Sequence, residues 1–186
     1  MIQNKFIPEI ITYTGEQLRS HWIYHQTGLL GDAIVAFRGP AEVNQDHLID
    51  LADVREGKYI QSRDMLHFLV EHFDLDLVQA ILRQRLLISI CAERINQHLD
   101  KLSVVRSGDD LYDGQKKLSV SIATLSSVSS LIHIGINIDS TDTPLPTIGL
   151  SDYSIDPEAF AEKILESYSE EIKGMQIARC KVKGVV

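Results

Sequence analysis

Lys117, Ser119 and Ser121 recur at every second position, and His133, Gly135 and Asn137 do the same a short way on. Such spacing puts each set on one face of a strand. The opposite faces are apolar: Leu118, Val120 and Ile122 in Lys117–Ala123, and Ile132, Ile134, Ile136 and Ile138 in Leu131–Asp139. A serine-rich connector, Ser126–Ser130, folds the two strands antiparallel. A turn centred near Ser127 sets Ser121 opposite His133, Ser119 opposite Gly135 and Lys117 opposite Asn137. The expected product is a sheet with an apolar back and a front of small polar residues beside one ammonium, the makings of a pocket floor. The competing reading is an ordinary core hairpin with Lys117 snorkelling to solvent.

Other residues offer chemistry more weakly. Arg38 ends an apolar strand just before Gly39, where exposed backbone amides and a guanidinium can receive an anion; a turn with a solvent-facing arginine reads equally well. His21 and His25 have the four-residue spacing that chelates a metal on a helix, but no third ligand stands nearby. His67-Phe68-Leu69-Val70-Glu71-His72 approaches a zinc-protease box, with one residue too many between the first His and the Glu. His21 and His25 are better read as a solvated helix face, and the His67–His72 run as a structural strand or helix with partly exposed His and Glu; no metal site is expected. Arg83, Gln84 and Arg85 cluster on a helical pattern, where Arg85 could meet an acid or a phosphate or simply face solvent.

The elements that must position these groups follow from the same rules. Phe6–Tyr13 reads as a strand; Thr14 and Gln17 read as a capping box opening a helix to about His25, stopped at Gly28. Ala33–Phe37 is a buried strand, His47–Leu51 a further strand and Asp53–Gly57 a turn. Met65–Phe73 fits a helix or a strand. Asp76–Leu99 is the surest helix, with a stripe of Leu77, Ile81, Ile88, Ala92 and Ile95. Leu102–Arg106 is a short strand, Ser107–Asp110 a loop and Asp113-Gly114 a tight turn. After an irregular Thr141–Asp152, Asp156-Pro157-Glu158 starts a helix that ends at Gly174. Gln176–Val186 alternates as an edge strand guarded by Arg179, Lys181 and Lys183, or as a phosphate-facing stripe. Mixed strands with few parallel crossovers give an α+β fold, a mixed and mostly antiparallel sheet packed by helices, over residues 1–186 as a single domain.

Composition bounds the function. With 186 residues and 44% hydrophobic content, the chain can bury a full core. A formal charge of −8 argues against a nucleic-acid partner. No apolar run approaches the roughly 20 residues of a membrane helix. Met1–Ile10 lacks the basic and apolar regions of a signal peptide, so a cytoplasmic location is expected. Cys91 and Cys180 read as buried thiols on a helix and a strand.

Several phrases resemble known families. Gly108-Asp109-Asp110-Leu111, Gly114, Lys117-Leu118 and Gly135-Ile136-Asn137-Ile138 resemble the core motifs of biotin protein ligases, and Lys117-Leu118-Ser119-Val120-Ser121 is similar to a lipoate-ligase strand. His-Phe-Leu-Val-Glu-His-Phe and Leu-Arg-Gln-Arg-Leu resemble an uncharacterised family of small proteins that shares the fold of these ligases and of class II aminoacyl-tRNA synthetases. The resemblance implies a biotin/lipoate ligase-like fold. It implies Lys117 as the lysine that meets a carboxylate and an adenylate phosphate, Arg38 and Gly39 as a second phosphate contact, and Asp109-Asp110 as a loop for ribose or magnesium. Ser119, Ser121, His133, Gly135 and Asn137 would then hold the substrate. ATP and magnesium are the implied cofactors, a small carboxylate or acyl compound the implied substrate, and a homodimer is compatible with the pattern. The sequence departs from the ligases in three places. The glycine- and arginine-rich nucleotide loop is reduced to Arg38-Gly39-Pro40-Ala41, Asp109 stands where they have Asn, and Val120 replaces a glycine. The expected function is a ligase- or acyltransferase-like enzyme; the alternative is a non-catalytic module for a small anionic metabolite.

Overall fold

The computed structural model describes residues 1–57, 59–139 and 146–185. In chain order the elements are β1 (Gln3–Ile7), α1 (Trp22–Thr27), β2 (Ala33–Val43), α2 (Leu51–Arg55), β3 (Ile60–His72), α3 (Leu77–Leu99), β4 (Val104–Ser107), β5 (Asp110–Asp113), β6 (Lys116–Lys117), β7 (Ser119–Leu125), β8 (Ser130–Asp139) and α4 (Pro157–Lys181). One sheet has the order β1-β2-β3-β8-β7, and a small one the order β4-β5-β6. Among the described strands β1 and β2 run parallel and the other pairs are antiparallel, with isolated parallel bridges at Tyr13–Ala41 and Lys117–Thr147. The fold is α+β with a mixed, mostly antiparallel sheet packed by helices, as the sequence predicts.

The ambiguity at residues 65–73 resolves as strand, because β3 is central and hydrogen-bonds to β2 and β8 along both edges. Leu66, Phe68 and Val70 point into the larger core, together with Ile132, Ile134, Ile136 and Ile138 of β8 and the buried faces of α3 and α4. His67, Glu71 and His72 are fully or almost fully buried, which corrects the expectation of partly exposed side chains. On the other sheet face a second core gathers Val35, Phe37, Leu69 and Leu131 under Tyr13, Leu18 and Ile23 of the N-terminal segment.

Both long helices start where predicted. Asp76 caps α3 by accepting from Gln79 N at 3.0 Å, and Asp156 caps α4 by accepting from Ala159 N at 2.8 Å. Their packing faces and lengths differ from expectation in part. In α3, Leu77 and Ile81 are exposed, while Ala80, Arg83 and Gln84 turn inward, drawn by an ion pair from Arg83 to Asp74 and by the Gln84 amide bonding Ser121. Helix α4 buries Phe160, Ile164, Tyr168 and Ile172 as predicted, but runs through Gly174 to Lys181. The terminal edge strand does not form, and Cys180 is exposed on a helix while Cys91 is buried. Each added helical residue gains a backbone bond locally, whereas a strand needs a partner edge.

Other expectations shift as well. Gln17 accepts from Thr14 N at 2.9 Å, but α1 begins only at Trp22; Gly28 closes it with φ 77° as predicted. The strand expected at His47–Leu51 does not form: a 3-10 turn over Gln45–His47 leads towards α2, which starts at Leu51 because the Asp50 carboxylate accepts from the Ala52 and Asp53 N–H groups. The predicted turn at Asp113-Gly114 joins β5 to β6, with Gly114 at φ 59°. Residues 140–145 of the predicted irregular stretch lie outside the described residues.

The hairpin register carries the largest correction. The turn spans Ser126–Ser129, closed by Ser126 N to Ser129 O at 2.8 Å and by the Leu125–Ser130 pair. Ile122 therefore faces His133, Val120 faces Gly135, and Ser121 and Ser119 face Ile134 and Ile136. A one-residue slip exchanges the faces of a strand. Val120 and Ile122, not the serines, share the front with His133 and Gly135. Leu118 still reaches the larger core because the chain breaks stride there, between β6 and β7.

Candidate functional site

A cleft of about 1010 Å³ opens on the sheet face away from α3 and α4. One wall is the end of β2, the start of β3 and the segment between them, including Val43, Leu48, Asp50, Asp53 and Tyr59. The other wall is the Asp109-Asp110 turn with Lys117 and β7, and the floor carries Tyr13, Met65 and His133.

Lys117 Nζ lies 2.6 Å from Asp110 Oδ2 at the cleft wall. The lysine side chain is 34% exposed and the aspartate 16%. Burial lifts the Asp110 carboxyl above its ordinary range, against the pull of the Lys117 ammonium. The lysine backbone is locked too: its N donates to Pro146 O at 2.9 Å, its O accepts from Ile148 N at 3.1 Å, and the Asn137 amide reaches that O at 3.3 Å. Asn137 also donates to Ile148 O, so it ties β8 to the chain beyond it while lining the cleft.

The two serines buttress the turn. Ser119 Oγ accepts from Leu111 N at 2.9 Å, and Ser121 Oγ donates to Asp109 O at 2.7 Å while accepting from Gln84 Nε2 at 2.7 Å. They edge the cleft because β7 is an edge strand, but their oxygens are engaged in holding Asp109 and Asp110. Asp109 is 41% exposed, and its carboxylate contacts are long, 3.4 Å from Gln84 and 3.9 Å from Arg85.

Gly135 does not line the cleft. A Cβ there would sit 2.9 Å from the Met65 methyl and 3.3 Å from Val120, so Met65 fills the room expected above the glycine. Arg38 is also elsewhere. Alternation puts it on the face of Ala36, towards α3 and α4, and Asp64 binds its guanidinium through Nε at 2.9 and 3.0 Å and through Nη2. Asp64 holds the Arg38 pKa above its ordinary value. Gly39 faces the cleft side, where its carbonyl accepts from His67 and its missing side chain admits the Ile11 backbone, 2.1 Å from where a Cβ would lie.

Sequence reasoning named His133 but missed its partners at the floor, Tyr13 and His67. His67 Nδ1 meets His133 Nε2 at 3.0 Å, and Tyr13 stacks on His133 with ring centroids 3.8 Å apart. Burial drives the His67 pKa down to about 4; burial and then His67 push that of His133 well below the ordinary range. Ser62 Oγ is buried in the same wall with no hydrogen-bond partner among the described residues. The available signal was strand alternation on β3, which puts Met65 and His67 on one face. Among the described residues no group of three or more His, Cys, Asp or Glu could hold a metal ion, and no helix is long and apolar enough to cross a membrane.

A structure described as a protein of unknown function from Pyrococcus horikoshi superposes with TM-score 0.93 at 36% identity, covering 100% of both chains. Biotin protein ligase from Aquifex aeolicus, in complex with biotin and ATP, superposes with TM-score 0.63 at 16% identity, over 90% of this chain and 70% of that one. A putative lipoate protein ligase from T. acidophilum with bound lipoic acid gives TM-score 0.56 at 13% identity, over 92% of this chain and 86% of that one. These two likenesses establish the fold. An uncharacterized protein of Methanocaldococcus jannaschii is 40% identical over 174 residues, 90% of this chain and 78% of that protein. The family described as Domain of unknown function (DUF366) matches residues 2–183, and the chain belongs to it.

Proposed function

We propose that the protein is a ligase- or acyltransferase-like enzyme whose cleft takes a small carboxylate or acyl group, with Lys117 as its electrostatic anchor. The observation that carries this reading is Lys117 at the wall of a large, partly apolar cleft, aimed by the half-buried Asp110 carboxylate, in the fold of biotin and lipoate ligases. Asp110 holds the ammonium in place before a substrate arrives. An incoming carboxylate then shares Nζ, and the raised Asp110 pKa lowers the cost of the carboxyl giving up part of that contact. In acyl transfer the same ammonium stands where negative charge develops, and removing such a group raises the barrier by about 3 kcal/mol.

ATP and magnesium belong to the adenylating form of the proposal, in which they would supply an activated adenylyl group, with pyrophosphate as leaving group, and its counter-charge. Among the residues present, Asp109 fits magnesium best, being exposed to the cleft with long contacts only. Arg38 fits a phosphate poorly, because Asp64 already holds it on the other face. That observation favours a second reading, a module that binds a small carboxylate without turning it over.

ATP–pyrophosphate exchange over a panel of carboxylic acids, with wild type and Lys117→Ala, tests the reading. Exchange that needs both a particular acid and Lys117 supports adenylation. Thermal stabilisation by an acid with no ATP dependence supports the binder, and exchange unchanged in Lys117→Ala removes the lysine from the mechanism.

A further inference from the structure

Two contacts fix the protons of the buried histidine pair. Gly39 O can only accept, so its 3.1 Å contact places the proton of His67 on Nε2. Nδ1 of that neutral ring is then bare, and its 3.0 Å contact places the His133 proton on Nε2. His133 Nδ1 is left as a lone pair. His133 lines the cleft and is 4% exposed. No donor among the described residues bonds this Nδ1, and it is not one of the sealed side-chain atoms lacking a partner, which are Ser62 Oγ and Arg83 Nε. The nitrogen thus keeps an opening to the cleft. Tyr13, stacked at an interplanar angle of 12°, stops the ring from turning away. Burial keeps both rings neutral.

We infer that His133 Nδ1 is a ligand-recognition acceptor, and that the cleft selects a small carboxylic acid carrying an O–H or N–H donor at the end remote from its carboxylate. This rests on Lys117 as the carboxylate anchor. The spacing follows from β8. His133 and Asn137 share a face four residues apart, about 13 Å at about 3.3 Å per residue, and the Asn137 amide touches the Lys117 backbone. A medium-chain hydroxy or amido acid matches both ends. A plain fatty acid would set a methyl group against a bare nitrogen stripped of water, and a site built to bond a donor discriminates against an analogue lacking one.

The test is calorimetric titration of the full chain with 8-hydroxyoctanoate and with octanoate. The hydroxy acid is expected to bind about tenfold more tightly in wild type, and the ratio to fall to about one in His133→Phe. Nitrogen-15 spectra of the wild-type imidazoles provide a readout that does not depend on the variant folding. In the free protein His133 Nδ1 should be unprotonated, and its resonance should move on adding 8-hydroxyoctanoate but not octanoate. A protonated Nδ1 in the free protein overturns the inference. Equal affinities that both fall in Lys117→Ala overturn the donor rule and leave the carboxylate anchor standing. A preserved tenfold ratio with no effect of Lys117→Ala overturns the anchor and keeps the donor rule, and binding of neither acid overturns both.

Discussion

Acidification from pH 7 to 4 should strip stability from the fold through His67. The imidazole is fully buried, and its pKa falls from 6.5 to about 4. At about 1.4 kcal/mol per pH unit, that gap corresponds to about 3 kcal/mol. The unfolded chain takes up the proton first, so the contribution is complete above pH 6.5 and is lost progressively down to pH 4. Against a typical domain stability of about 5–15 kcal/mol, this is a large fraction. Two carboxylates act differently. Asp110, raised chiefly by burial, gains relative stability as pH falls. Asp32, lowered chiefly by its His72 hydrogen bond, loses it only below about its ordinary value of 3.8. Urea denaturation of wild type and His67→Phe at steps from pH 7 to 4.5 separates the histidine from both. The wild-type free energy should fall more steeply by about 2–3 kcal/mol over that range. Parallel curves, or a His67 resonance titrating near 6.5, would refute the buried neutral pair.

Three further perturbations follow from named contacts. Gly39→Ala should destabilise by about 3 kcal/mol or more, because its Cβ would fall 2.1 Å from Ile11 O, a backbone atom that cannot swing aside; chemical denaturation measures it. Lys117→Met should cost about 1–2 kcal/mol by leaving the half-buried Asp110 carboxylate without its cation, a modest figure because the lysine is a third exposed. A double-mutant cycle with Asp110→Asn should recover most of that loss. Gly174→Ala should stabilise by about 0.5–1 kcal/mol, since the glycine lies inside α4 with nothing within 4 Å of an added Cβ; no gain in Tm would mean that α4 does not continue past residue 174.

Much of the fold was legible because local signals agreed with tertiary packing. Asp76 and Asp156 announced their helices, and the isoleucines of β8 announced the covered face. The turn register was not legible, because the Ser126–Ser130 run, four serines around Val128, allows two pairings that differ by one residue, and only side-chain packing across the sheet decides between them. That slip explains why Ser119 and Ser121 proved to be supports for the Asp109-Asp110 turn rather than the floor. The cation at Lys117 and the polar groups at His133 and Asn137 were readable from alternation alone. Their packing partners Tyr13 and His67 were not, since Tyr13 comes from the segment between β1 and α1 and His67 from β3, both distant in sequence from β8. Arg38 looked available because sequence shows a guanidinium beside glycine but not the Asp64 carboxylate that long-range pairing brings to it.

The most direct test is a crystal structure of the protein bound to whichever acid most raises its Tm in a carboxylate panel. The carboxylate should lie within hydrogen-bond distance of Lys117 Nζ, with the acyl chain running along β8 towards His133. A ligand bound elsewhere, with Lys117 still committed to Asp110 alone, would contradict it.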